Sequence, residues 1–148
     1  MTRPVPPLSR ATVLIVEDDV FTAMCAKDAL QDAGYVVMDL TDRNREAMAA
    51  ARECKPDLAL VNIDLRGGDD GIALAGELTA LGVPVIFISG QTSRAASART
   101  AAIGSMPKPY AFEDLVLAVD YVLHHLKGDN TRPHPAGLQI FDAEPELL

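Results

Sequence analysis

A chain of 148 residues has the length of one domain and can bury a core without disulfides or a structural metal. Its 21 acidic against 13 basic residues give a formal net charge of -8, which excludes a phosphate-backbone binder built on clustered Lys and Arg. No nucleic-acid partner is expected, and no membrane partner either, since no apolar run reaches the length of a span.

Residues 1–10 carry three prolines and no periodicity, so they are expected to be a disordered lead-in. The stretch Thr2 to Pro7 also lacks the apolar core of a signal peptide, which predicts a cytoplasmic protein. A first strand covers about 12–17, and Asp19 caps a helix that Gly34 stops. Tyr35 to Leu40 forms a second strand. Thr41 or Asp42 then caps an Ala-rich helix running to about Cys54, ended by Pro56. Cys25 and Cys54 lie in these helical stretches without CxxC spacing, so both are expected to be small buried hydrophobes in a reducing compartment.

A third strand follows, its apolar run ending at Asn62. The turn-rich loop 66–71 leads to a helix over about 72–81, closed by Gly82-Val83-Pro84. Val85 to Ile88 is a fourth strand, and the Ala-rich segment 91–102 has little apolar surface, which predicts a weakly docked helix. The fifth strand contains Pro107, a residue that suits an edge position. A final helix over about 111–127 places Phe112, Leu115, Val119, Val122 and Leu126 on one face, with Leu117 and Tyr121 as a second apolar line beside it. Residues 128–148 are expected to be a disordered, Pro-containing acidic tail, with Leu138 to Phe141 as an alternative short docking segment.

Strands alternating with helices imply an α/β fold, a doubly wound five-stranded parallel sheet in a three-layer sandwich over residues 11–127. The first, third and fourth strands each run through four apolar residues and stop at a polar one, at Glu17, Asn62 and Ser89. Strand ends of a parallel sheet share one edge, so Glu17, Asp18, Asn62, Asp64 and Ser89 should gather in one crevice. Adjacent carboxylates with nearby oxygen donors suit Mg2+, which prefers a few carboxylates plus water and phosphate. Two like charges about 4 Å apart at an effective dielectric near 20 repel by roughly 4 kcal/mol, so the cluster needs a cation or proton sharing. Lys108, just after the fifth strand, is the internal counter-charge.

The sequence resembles the response-regulator receiver (CheY-like) family over residues 11–127. The resemblance rests on Val13 to Asp19, Lys55 to Asn62, Val83 to Gly90 and Pro107 to Tyr110, four pieces in order and spacing. It implies strand order 2-1-3-4-5, Mg2+ as cofactor, and a phosphoryl group taken from a histidine kinase by an Asp ending the third strand. By position it implies Glu17 and Asp18 as metal ligands, Ser89 as the hydroxyl that follows the phosphoryl group, Lys108 as the cation that contacts it, and a cis Lys108-Pro109 bond.

Two departures stand out. The acceptor position, six residues after Pro56, holds Asn62, and an uncharged amide cannot form an acyl phosphate by nucleophilic attack. Asp64 lies two residues farther on, where its backbone carbonyl would face the metal. Where the family often has an aromatic that swings inward, this chain has Ser105, which excludes that rotamer switch.

The leading expectation is a stand-alone receiver module with a degenerate acceptor, not an enzyme, acting by contact with a histidine kinase, a phosphotransfer protein or a downstream signalling protein. A surface over 91–127, including the Leu117/Tyr121 line, is the candidate contact and homodimer face. One alternative keeps phosphotransfer and makes Asp64 the acceptor. Another is a Mg-dependent phosphohydrolase or small-ligand-binding flavodoxin-like protein. Against an enzyme, His124, His125 and His134 all lie at the end of the last helix or beyond, away from every strand end.

Overall fold

The computed structural model describes residues 11–41, 43–63, 70–89 and 101–141. The elements in chain order are β1 (Thr12–Val16), α1 (Val20–Asp32), β2 (Val36–Thr41), α2 (Asn44–Glu53), β3 (Leu58–Asn62), α3 (Gly71–Ala80), β4 (Val85–Ser89), β5 (Gly104–Pro107), α4 (Phe112–His125) and β6 (Gln139–Ile140). The sheet order is β2-β1-β3-β4-β5-β6, parallel from β2 to β5, with β6 antiparallel to β5.

The central strands are buried on both faces because their side chains alternate between two apolar layers. Leu14, Val16, Ala59, Val61, Val85 and Phe87 pack toward α2 and α3. Val13, Ile15, Leu58, Leu60, Ile86 and Ile88 pack toward α1 and α4. Local signals set the ends of the helices. The Asp19 carboxylate accepts from Thr22 N at the start of α1, and that of Asp70 accepts from Ile72 N at the start of α3. Gly34 and Gly82 take φ values of 102° and 94°, the left-handed turn that lets Tyr35 N and Val83 N return to the carbonyls of Leu30 and Leu78.

Several expectations need correction. Arg43 occupies the N-cap position of α2, and its side chain makes no capping hydrogen bond. Cys54 lies past the end of that helix and is exposed, and Cys25 is only half-buried. On α4 the buried face is Leu115, Ala118, Val119, Val122 and Leu123, while Leu126 is 48% exposed beyond the last turn. β5 is not the outermost strand, since β6 pairs with its first two residues, Gly104 and Ser105, but that pairing stops short of Pro107. Ile103 N donates to Val85 O, and where the alternation reaches Pro107, which has no N–H, Lys108 N supplies the bond to Ser89 O instead.

The largest difference is the tail. Residues 128–141 are folded, with Leu138 5% and Phe141 7% exposed. Each side chain contributes roughly 2 kcal/mol of apolar burial. Gly104 makes the pairing possible, since a Cβ there would lie 2.6 Å from Gln139 O. Residues 1–10, the 91–100 part of the weakly docked segment, and 142–148 lie outside the described residues.

Candidate functional site

β1, β3 and β4 end side by side, with Val16 opposite Val61 and Asn62 opposite Ile88. Glu17, Asn62 and Ser89 are all buried at this edge. The Asn62 Nδ2 donates to Glu17 Oε2 at 3.0 Å and to Asp18 Oδ1 at 3.3 Å. Chemistry fixes this orientation, because the amide oxygen has nothing to donate to a carboxylate. Lys108 Nζ lies 3.4 Å from Glu17 Oε1, and Asp19 N donates to Glu17 Oε2 at 3.1 Å. Glu17 is thus a buried carboxylate held by an amide, a backbone N–H and an ammonium, which offset the cost of its burial.

Of the expected site residues, the structure brings together Glu17, Asp18, Asn62 and Lys108, with Ser89 at the adjoining strand end. Asp64, both as alternative acceptor and as carbonyl ligand, lies outside the described residues. The Lys108-Pro109 bond is cis. Glu17 and Asp18 offer the hard oxygens that suit Mg2+, and among the described residues no group of three or more His, Cys, Asp or Glu stands ready as a cage. An ion held there would draw its remaining ligands from water, phosphate or carbonyl oxygens.

The three histidines take no part. His124 Nδ1 lies 2.8 Å from Asp120 O, His125 Nδ1 lies 2.7 Å from Asn130 Oδ1, and His134 sits edge-on to Tyr121.

Two contributors were missed. Tyr110 lines a small apolar cavity behind Glu17, and burial, with a smaller contribution from the Glu17 charge, pushes its hydroxyl up to about 12. Gly71 lies directly under the end of β3, donating its N–H to Ile63 O at 3.1 Å, and a Cβ there would strike Asn62 O. A glycine opening a helix after a turn-rich loop was the only available signal, and it did not say which strand the helix would abut.

A parallel sheet of order 2-1-3-4-5 with an acidic pair, a hydroxyl and a lysine at its carboxyl edge defines the receiver class of signalling domains. The chain belongs to that family: the model of the response regulator receiver domain matches residues 13–120. It is 32% identical over 124 residues to the uncharacterized transcriptional regulatory protein YbdJ of Bacillus subtilis, covering 81% of this chain and 54% of that protein. It is 26% identical over 119 residues to the transcriptional regulatory protein PdtaR of Mycobacterium tuberculosis, covering 78% and 58%. The chain therefore spans little more than half the length of these curated relatives. Among solved structures, the signal receiver domain of a modulated diguanylate cyclase from Desulfovibrio desulfuricans superposes with a TM-score of 0.72 at 33% identity, over 80% of this chain and 97% of that one. A CheY-like receiver domain protein from Methanospirillum hungatei shares the fold, with a TM-score of 0.74 over 80% and 98%. No helix among the described residues is long and apolar enough to cross a membrane.

Proposed function

We propose that this receiver domain works in two-component or phosphorelay signalling as a contact module whose acceptor position, Asn62, takes no phosphoryl group. The observation that carries the reading is the Asn62 amide donating to both Glu17 and Asp18, at 3.0 and 3.3 Å. A neutral donor in this place satisfies the acidic pair that an acceptor carboxylate would repel, and it offers no nucleophilic oxygen anion. Glu17 and Asp18 would hold Mg2+ when it binds, and the ion would supply positive charge for a phosphate or phosphate-bearing partner. Lys108 and Ser89 would contact the same anion, and the active species would be selected by a partner's contacts.

The partner is a histidine kinase, a phosphotransfer protein or a downstream signalling protein, met in the cytoplasm, and a second copy would use the part of the 91–127 face that the tail leaves open, where Leu117 is exposed, residues 91–100 of that face lying outside the described residues. Incubation with Mg2+ and acetyl phosphate, followed by intact-mass measurement, should leave the mass unchanged. A single phosphoryl adduct that Asp64→Asn abolishes and Asn62→Ala does not would replace this reading with an ordinary phosphorylated receiver using Asp64.

A further inference from the structure

We propose that the outer edge of β5, together with the α4 surface around Asp120 and Tyr121, is a binding site for an extended peptide of a partner protein, and that residues 128–141 occupy it in cis as a built-in ligand. The inference stands on the tail alone and does not depend on the chemistry at Asn62.

The tail is attached like a ligand, through a few anchors on an exposed tether. It leaves α4 at Gly128, whose φ of 87° reverses the chain, and residues 130–134 are exposed. Arg132 Nε then meets Asp120 Oδ2 at 2.9 Å, and His134 stands edge-on to the Tyr121 ring with centroids 4.7 Å apart. At the edge of β5, Ile140 pairs with Gly104 and Gln139 with Ser105, and Phe141 N donates to Ile103 O at 2.7 Å. Leu138 and Phe141 enter the apolar layers on opposite faces of the sheet. This is strand addition, in which main-chain bonds give affinity and side-chain pockets give selectivity.

The fit is incomplete, and the gap shows what a better occupant would carry. Between the tail and the β5–α4 connection lies an open groove of about 460 Å³, walled by Met106, Pro109, Tyr110 and Asp114 on one side and by Ala136 and Gly137 on the other. The small residues of the tail leave that space unfilled. A partner segment fits if it carries a cation for Asp120, a planar ring for Tyr121, apolar side chains where Leu138 and Phe141 lie, and a larger apolar residue where the tail has Ala136. Such a segment competes with the tail, so its apparent affinity is reduced by the fraction of molecules whose own tail is docked.

The test uses the full-length protein and a labelled synthetic peptide of residues 128–141 carrying Ala136→Leu, followed by fluorescence anisotropy. Full-length Phe141→Ala, with its own tail weakened, is expected to bind the peptide at least tenfold more tightly than the unaltered protein. Gly104→Ala, whose added Cβ would lie 2.6 Å from Gln139 O and 3.4 Å from Ile140 Cδ1, is expected to weaken peptide binding at least tenfold and to expose the amides of 138–141 to exchange. Should Phe141→Ala fail to fold, Arg132→Ala, which removes only a half-exposed ion pair, serves the same comparison. Equal binding by the weakened-tail and unaltered proteins overturns the proposal, as does undiminished binding by Gly104→Ala.

Discussion

Asn62 reaches across the β1–β3 pair to Glu17, its amide nitrogen 3.0 Å from a carboxylate oxygen that also accepts from Asp19 N. Replacing that nitrogen with oxygen inverts the interaction. Asn62→Asp sets a third carboxylate against Glu17 and Asp18, and the metal-free protein is expected to lose about 1–3 kcal/mol of stability. Thermal denaturation with and without Mg2+ checks this: the variant should be stabilised by the ion markedly more than the unaltered chain. Equal Mg2+ response in the two proteins would refute the electrostatic account.

The Lys108 ammonium contributes less than its place suggests. It stands 3.4 Å from Glu17 Oε1 with its side chain 34% exposed, and Glu17 keeps two other donors when it is removed. Lys108→Gln is therefore expected to cost under about 1 kcal/mol in urea denaturation. A loss of several kcal/mol would mean that the lysine is the main partner of the buried acid.

Two glycines of α3 should behave in opposite ways. A Cβ at Gly71 would strike the backbone of Asn62 and Ile63, so Gly71→Ala is expected to destabilise by about 3 kcal/mol or more and to displace the end of β3. Gly76 has nothing within 4 Å of its added Cβ, and Gly76→Ala should stabilise by about 0.5–1 kcal/mol through helix propensity. Chemical denaturation of the two variants provides the comparison.

Alkaline pH should loosen the α1–α4 side of the molecule. Burial raises the Tyr35 hydroxyl well above its ordinary value of 10.0, with the Asp120 charge adding to the effect, and Tyr110 is raised to about 12, also chiefly by burial. Each folded-state value lies above the unfolded one, so this stability is fully present below about pH 10 and is lost as pH rises through the folded values. Tyr35→Phe and Tyr110→Phe should each flatten the fall in denaturation midpoint between pH 9 and pH 12, relative to the unaltered protein.

The sequence was legible where a single run carries its own instruction. Four apolar residues ending in a polar one placed β1, β3 and β4 and brought Glu17, Asn62 and Ser89 to one edge, because burial on both faces leaves only the strand end for polarity. Asp19, Gly34 and Gly82 marked helix ends through local hydrogen bonds and backbone conformation. The tail was illegible for the opposite reason. Leu138 to Phe141 is too short to show a period, and its partner strand is more than thirty residues away in sequence. Pro107 pointed to an edge, yet its missing donor is replaced by the N–H of the next residue, Lys108, which no composition rule anticipates. The amide's double contact with Glu17 and Asp18 depended on side-chain orientation, so the residue could be named in advance but not its partners.

A parallel sheet left open at β5 would present a row of free amides and carbonyls to any passing chain, an invitation to self-stacking. With only Gln139 and Ile140 forming the outermost rung, that margin is blunted to a length on which little can be templated. Loss of those few residues by proteolysis would uncover the main-chain groups of Ile103, Gly104 and Ser105 and return that template to the surface.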